Sequence, residues 1–343
     1  MMRRAMITGL AGLTLSEPER RFLGRTRPLG IILFTRNLNS HTQIKNLIKD
    51  ARLAIASDDV LVLIDQEGGR VQRLKPPLGR ALPPARRYAA HYEDDAMASC
   101  EAAYMTARLL AGDLTALGIN CNCAPVLDIP LEDAHDIIGD RAYGTNPEQV
   151  IALGRAIAQG FIHGSVLPVI KHIPGHGRAG ADSHLSLPMV GTPLEELEKT
   201  DFAPFKALKD IPAAMTAHIL YSDIDPDSPA STSPRLVNDI IRQKIGFSGL
   251  LMSDDLSMKA LEGPMRERAK KVITAGCDVA LHCNGNFDEM ECAAEGVPQI
   301  KEERDFDRTY ERFMAAIEVT KGISAKPFDI KAAECALKSV FTV

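Results

Sequence analysis

Tryptophan is absent from the 343 residues of this chain, and aromatic residues of all kinds make up only 5%. Any binding site must therefore recognise its ligand mainly through polar groups rather than ring stacking. Positive charge is not in excess either: 40 Lys and Arg stand against 45 Asp and Glu, a net charge of −5. No global field exists to hold phosphate backbones, which excludes nucleic acid as the main partner. No apolar run approaches the roughly 18 residues of a membrane span, so no membrane partner is expected. The seven cysteines lack any paired CxxC spacing, which argues against a zinc knuckle or a redox couple and fits the reduced thiols of a cytoplasmic protein. The start, MMRRAMITGLAGLTL, imitates a secretory signal, but Thr8, Gly9, Gly12 and Thr14 interrupt it and no A-x-A cleavage site follows. Ser16-Glu17-Pro18-Glu19 instead reads as an N-cap, an early proline and helix-start acids.

What is present is an ordinary soluble composition, 45% hydrophobic and 25% charged, in a chain long enough for two average domains or one large α/β barrel. Short β-branched runs alternate with longer amphipathic stretches, the pattern of repeated β-α units around a parallel sheet. Eight strands are predicted: Ala5 to Thr8, Gly30 to Phe34, Val60 to Asp65, Ile119 to Cys123, Val166 to Lys171, Ala213 to His218, Gly249 to Asp254 and Asp278 to Cys283. Between two of them, Met97, Cys100, Tyr104, Ala107, Leu110, Leu114 and Leu117 recur at helical spacing. The expectation is an α/β fold, a (β/α)8 TIM-type barrel, with a doubly wound open sheet as the alternative. Residues 1–300 would form the barrel. Residues 301–343 would form a helical extension packed on it: one helix to Lys321, a proline-containing break and a short helix ending at Val343. No linker, low-complexity tract or repeat divides the chain.

A barrel of this kind keeps its active site at the C-terminal ends of its strands. Several apolar runs here stop on a charge or an imidazole: Asp65, Lys171-His172, His218 and Asp254-Asp255. One such residue is usually a turn or cap group, whereas four strand ends in one chain point to a site. The densest segment, KHIPGHG from Lys171 to Gly177, contains a proline and two glycines and reads as a loop leaving a strand. Asp182 and His184 follow, at a spacing that lets a carboxylate hold one ring nitrogen while the other faces a substrate. These histidines could instead only tie the loop down, most readily His176. A carboxylate at Asp254 could attack an anomeric carbon, with His184 as acid and base, or could merely cap the next helix. Periodicity does not separate Asp254 from Asp255 in either role.

Taken in order, LIDQEGGRVQRL, APVLDI, DRAYGTNPEQV, KHIPGHG with DSH, and MSDDLSM resemble glycoside hydrolase family 3, over about residues 5 to 300. The resemblance is to its bacterial β-N-acetylhexosaminidase branch, which acts in peptidoglycan recycling and so in cell-wall biogenesis, cell shape and the cell cycle. It implies a (β/α)8 barrel that removes terminal N-acetylglucosamine with retention, through a covalent intermediate. By motif, Asp254 would be the nucleophile, His184 the acid/base and Asp182 its partner. Asp65, Arg73, Arg141, Lys171 and His172 would bind the sugar. Most other members take their acid/base from a second domain, for which this chain has no room. Ile173 stands where the loop usually has an aromatic residue, Ala142-Tyr143 replaces the commoner Ser-Phe, and His282 occupies a usually more apolar strand end.

The resulting expectation is an exo-acting glycosidase for a small-molecule substrate, a muropeptide bearing N-acetylglucosaminyl 1,6-anhydro-muramoyl units, needing no cofactor and no metal. Three other readings compete. His172, His176, His184, Asp182 and Asp65 could hold a catalytic metal in a metal-dependent hydrolase. Lys171 could form a Schiff base in a lyase. A non-catalytic sugar-binding protein could keep the clamp without turnover.

Overall fold

The computed structural model describes residues 2–131, 136–180, 183, 186–302, 307–322 and 325–341. Eight strands alternate with helices: β1 (Met2–Gly9), β2 (Pro28–Leu33), β3 (Leu61–Ile64), β4 (Cys121–Asn122), β5 (Leu167–Ile173), β6 (Ala213–Thr216), β7 (Leu250–Asp255) and β8 (Val279–His282). Each pairs in parallel with the next, and β8 returns to β1 with Met6 opposite Ala280, which closes the sheet. The closed (β/α)8 barrel removes the open-sheet alternative. A further strand, β9 (Gln299–Lys301), runs antiparallel to the first residues of β1.

All eight strands overlap the segments expected for them; most ends shift by a residue or two, β1 starts at Met2 rather than Ala5, and β4 and β5 differ for local reasons. Strand β4 is only two residues long. Beyond it the Val169 N–H reaches the Ala124 oxygen at 3.1 Å, and past Pro125, which has no N–H, an isolated parallel bridge joins Val126 to Lys171: the Lys171 N–H donates to the Pro125 oxygen at 3.1 Å and the Leu127 N–H to the Lys171 oxygen at 2.7 Å. Strand β5 continues past Lys171 to Ile173, with a register shift between those two residues, so the KHI of KHIPGHG is strand rather than loop.

Strand pleat sorts the side chains. Leu61 and Leu63, Leu167 and Val169, Leu250 and Met252, and Val279 and Leu281 fill the barrel interior, whereas Val62, Ile64, Ile170, Leu251 and Ala280 pack beneath the surrounding helices. The predicted start of the first helix is present: Glu19 accepts the Ser16 N–H at 2.9 Å, and the Glu19 N–H donates to the Ser16 hydroxyl at 3.3 Å. Such a capping box stabilises a helix end by about 1 kcal/mol. The long helix runs from Ala96 to Leu117 and stops at Gly118, whose φ of 88° suits only glycine well. Met97 is 81% exposed, although the periodic pattern placed it on the buried face. Ser99, Ala102 and Ala103 are buried in that first part of the helix instead.

The two ends of the barrel are closed differently. At the N-terminal end the helix Arg308–Thr320 lays Phe313, Met314, Ala316 and Ile317 against the interior residues of the strands. Arg312 pairs with Asp278, just before β8, at 2.7 Å. The last helix, Ile330–Val340, packs on the Ala96–Leu117 helix, and Phe341 meets the Tyr88 ring edge-on at 4.8 Å. No helix among the described residues is long and apolar enough to cross a membrane.

Candidate active site

At the opposite end the strands open into a cavity of about 480 Å³ bordered by Asp65, Glu67, Arg73, Arg141, Lys171, His172, His176, Ser183, Asp254 and Asp255. The interior parity explains several of these placements. Asp65 continues the inward series Leu61, Leu63; Lys171 continues Leu167, Val169; and Asp254 continues Leu250, Met252.

One wall is an ionic clamp. Lys171 Nζ lies 3.0 Å from Asp65 Oδ1 and 2.7 Å from Glu67 Oε1. Arg73 donates to the other Asp65 oxygen at 3.0 Å, and Arg141 grips Glu67 through two bonds of 2.8 Å. Glu67 belongs to a short hairpin (Gln66–Gly68 with Val71–Gln72) that folds over the end of β3. Burial disfavours charge on Asp65, Glu67, Lys171 and Arg141, but mutual attraction outweighs it. Lys171 and Arg73 hold Asp65 well below the usual carboxylate range, Arg141 and Lys171 bring Glu67 down to about 2, and the two carboxylates raise Lys171. Asp65, Glu67, Lys171 and Arg141 are therefore charged at neutral pH. Their unused lone pairs and N–H groups form a ready-made set of acceptors and donors for the hydroxyls of a neutral ligand.

Behind the second wall Asp128 is fully buried. Its Oδ2 accepts from His172 Nδ1 at 2.6 Å, and its Oδ1 accepts the backbone N–H groups of His172 at 3.1 Å and His176 at 2.7 Å. Burial opposes its ionisation, yet His172 and these hydrogen bonds keep its pKa below the ordinary value. The arrangement fixes the His172 tautomer and leaves Nε2 for the cavity. His176 stacks edge-to-face on His172 at 5.5 Å and meets the Ser183 hydroxyl at 3.2 Å. Burial and the neighbouring His172 pull its pKa down to about 4, so it is neutral at physiological pH. Gly177 is required by close approach, since a Cβ there would lie 1.8 Å from the Ile129 oxygen.

Asp254 and Asp255 are separated by their hydrogen bonds. Asp255 Oδ1 accepts the N–H groups of Ser257 at 3.1 Å and Cys283 at 2.9 Å, and its Oδ2 accepts the Ser257 hydroxyl. Its carbonyl oxygen takes the His218 Nε2–H at 3.0 Å, and His218 Nδ1 is held by the Ser231 hydroxyl at 2.6 Å. Asp255 thus ties β7 to the end of β8. Among the described residues Asp254 accepts only the Asp255 N–H, at 2.8 Å on Oδ1, and none of them donates to Oδ2. Burial would raise the Asp254 pKa, but His172, His218, the Asp255 N–H and Lys171 together lower it, which favours the carboxylate at the cavity wall.

The structure therefore gathers Asp65, Arg73, Arg141, Lys171, His172 and Asp254 around one cavity. Asp182 and His184 lie outside the described residues, while Ser183 borders the cavity and its carbonyl accepts the Ala260 N–H at 3.2 Å. Sequence reasoning gave no role to Glu67 or Asp128. Both were visible within quoted motifs, DQEGGR and APVLDI, and the available signal for Asp128 was a carboxylate closing a short apolar run. His282 is turned away from the cavity, fully buried, with Nε2 3.3 Å from Glu289. Among the described residues no group of three or more His, Cys, Asp or Glu is arranged to hold a metal ion.

A closed (β/α)8 barrel with paired carboxylates, a guanidinium pair, an ammonium and an oriented imidazole at the C-terminal mouth of its strands defines a barrel enzyme built to grip a polar substrate. Its relatives give the family. The profile of the glycosyl hydrolase family 3 N-terminal domain matches residues 11–316. A protein of Alkalilimnicola ehrlichii named beta-hexosaminidase is 38% identical over 288 residues, covering 83% of this chain and 82% of the relative. Another of that name, from Methylococcus capsulatus, is 40% identical over 279 residues, covering 80% and 81%. The crystal structure of NagZ from Neisseria gonorrhoeae in complex with N-trifluoroacetyl-D-glucosamine superposes with a TM-score of 0.87 at 32% identity, covering 100% of this chain and 99% of that one. The chain belongs to glycosyl hydrolase family 3.

Proposed function

We propose that this chain is a retaining, exo-acting β-N-acetylglucosaminidase that releases terminal non-reducing N-acetylglucosamine from muropeptides in the cytoplasm during peptidoglycan recycling. The coarser class, a β-N-acetylhexosaminidase, follows from the family and from relatives of that name at 36–40% identity. The observation that carries the finer reading is Asp254: inward on its strand, ionised, with one oxygen that no described residue engages, opposite a clamp of charged groups suited to hydroxyls.

In the first step an Asp254 oxygen attacks the anomeric carbon while protonated His184 gives its proton to the departing glycosidic oxygen. In the second, neutral His184 takes a proton from water as that water displaces Asp254 from the sugar. Asp182 would favour the imidazolium and so assist the acid role more than the base role. Ser183, between these two in sequence, borders the cavity, which supports their assignment. Asp65, Arg73, Arg141, Lys171 and His172 would orient the ring without aromatic stacking. Residues 1–300 would supply the catalytic barrel and residues 301–343 the extension packed on it.

A 5-fluoro N-acetylglucosaminyl fluoride, followed by peptide mapping, tests the nucleophile. The expected label is on Asp254; a label on Asp255 transfers the role. NMR of the first-formed product tests retention, with the β-anomer expected and the α-anomer overturning it. Mass analysis of products from defined muropeptides tests the substrate: release of N-acetylglucosamine is expected, and inert muropeptides would discard the recycling role.

A further inference from the structure

His218 closes an apolar strand run on an imidazole, is fully buried, and takes no part in the two-step displacement. The sheet is irregular where it lies. Strands β6 and β7 pair in register from Ala213 opposite Leu250 to Met215 opposite Met252, and β6 ends one residue later at Thr216. Continued register would set Asp255 opposite His218, but no strand remains there to pair with it. On the other side of β7 the register slips: Met252 lies opposite Val279 and Asp255 opposite Leu281, so three steps along β7 answer two along β8. Such an irregularity re-aims side chains and interrupts the ladder, and Asp254 lies within it.

The His218 side chain supplies a bond where β6 has stopped, from Nε2 to the Asp255 oxygen at 3.0 Å. A carbonyl only accepts, so Nε2 carries the hydrogen. Burial, with His172 nearby, lowers the His218 pKa against the attraction of Asp254 and Asp255. The ring is therefore neutral at physiological pH, and its Nδ1 lone pair accepts the Ser231 hydroxyl at 2.6 Å. Ser231 is itself fully buried, and its carbonyl accepts the Cys277 thiol at 3.7 Å. The Asp255 oxygen also takes the Met258 N–H at 3.1 Å, which closes the turn after β7, and the Leu256 N–H donates to the Leu281 oxygen at 2.9 Å. The Asp255–Leu256 peptide is thus slung between two strands, tied to β8 by Leu256 and to the end of β6 by His218. The N–H of the same Asp255 is the group that holds Asp254 Oδ1 at 2.8 Å.

We infer that His218, locked by Ser231 as its Nε2–H tautomer, is a positioning residue for the nucleophile: in place of a ladder bond it fixes the Asp255 backbone, and through it the direction of the Asp254 carboxylate. This rests on the proposed role of Asp254 and deepens it. Turning of the Asp255 backbone would move the N–H that Asp254 leans on, and a misplacement of about 1 Å at a reacting group costs on the order of 10²-fold in rate. A direction-setting role predicts loss of rate without loss of binding, because the clamp around Lys171 is held by Asp65, Glu67, Arg73 and Arg141 rather than by β7.

The test times labelling of Asp254 by 5-fluoro N-acetylglucosaminyl fluoride over a range of reagent concentrations, which separates the rate at saturation from the half-saturating concentration. His218→Leu should lower the saturated rate about 10- to 30-fold and leave half-saturation within about threefold. His218→Gln, whose amide can donate to the same carbonyl, should recover part of that loss, and Ser231→Ala, which releases the tautomer, should lower the rate about 3- to 10-fold. A histidine that only stabilises the fold would lower the unfolding temperature and leave the labelling rate of folded enzyme within twofold, which would overturn the inference. So would His218→Gln no faster than His218→Leu, or a rise in half-saturation as large as the loss of rate. If His218→Leu does not fold, Ser231→Ala decides, with an unchanged rate counting against the inference. In all these cases the unaltered enzyme is still labelled at Asp254 and the function stands; a label on Asp255, or no cleavage of any N-acetylglucosaminide, would instead remove the reading beneath it.

Discussion

The same eight strands end in two opposite environments. At the N-terminal end the barrel is stopped by Phe313, Met314, Ala316 and Ile317, and its large buried cation, Arg3, is satisfied by neutral partners: the Asp59 oxygen at 2.7 Å, the Pro28 oxygen at 2.8 Å and the face of Phe313 at 4.9 Å. Burial pulls the Arg3 pKa down to about 10, which still leaves it charged. At the C-terminal end the cations Lys171, Arg73 and Arg141 meet carboxylates, and hydrogen-bonding capacity is left open to the cavity. The base joins an apolar seal to an internal ion cluster, Asp278 held by Arg242 and Arg312 at 2.7 Å each, and among the described residues borders no comparable open set of charges. The mouth keeps charges whose desolvation is offset only by their partners, the arrangement expected where structure is given over to chemistry.

Substitutions can break this contrast from either side. The largest effect is expected for Asp254→Ala, which should lower kcat by about 10⁴-fold or more, read with an aryl N-acetylglucosaminide, while thermal unfolding stays within a few degrees of the parent. Near-normal turnover would remove Asp254 from the mechanism. Lys171→Met should damage both properties, with kcat/KM down about 10²-fold and stability down by about 3 kcal/mol in urea titration, since Asp65 and Glu67 lose a shared buried cation. Phe313→Ala at the base should cost about 3–5 kcal/mol of stability yet leave kcat of the folded enzyme within about twofold. A comparable loss of kcat would show that the two ends are not independent.

Acid should weaken the mouth more than the base. Asp65, Glu67, Asp128 and Asp254 all have folded pKa values below their ordinary ones, so their stabilisation is complete above about pH 5 and is lost as the pH falls through the folded values, for Glu67 from 4.5 toward about 2. His176, lowered from 6.5 to about 4, also contributes fully above its unfolded value and loses that contribution as the pH drops toward 4. The urea midpoint should therefore be flat above pH 7, decline gently below 6.5 and fall steeply below 4. His176→Gln should flatten part of the gentle region, a smaller effect than the other three. An unchanged slope would mean that His176 is not buried as a neutral group.

Most of the fold was legible because it repeats a local rule. The apolar runs are short, several of them rich in β-branched residues, and they alternate with amphipathic helical stretches, so eight segments could be located one at a time. Met97 was misplaced for the complementary reason: helical spacing identifies a candidate stripe, but only packed neighbours decide which turns of it are covered. The site was legible as a set of strand ends, which brought Asp65, Lys171, His172 and Asp254 into view together. Glu67 was not, because it lies on a hairpin beyond its strand and acquires meaning only through Lys171, 104 positions later, and Arg141. Asp128 likewise gains a role only from the two histidine N–H groups it receives.

By itself, then, the sequence determined the strand-helix rhythm, the polar character of any ligand site in a chain without tryptophan, and the roster of charged strand ends. These depend on residue type and on spacing along the chain, which folding does not alter. Only the tertiary structure decided that the sheet closes and that Asp254 borders the cavity with an oxygen no described residue engages, while Asp255 is consumed in joining β7 to β8. Closure, pleat direction and charge pairing are relations between distant segments, and they exist only when the ends of the barrel meet.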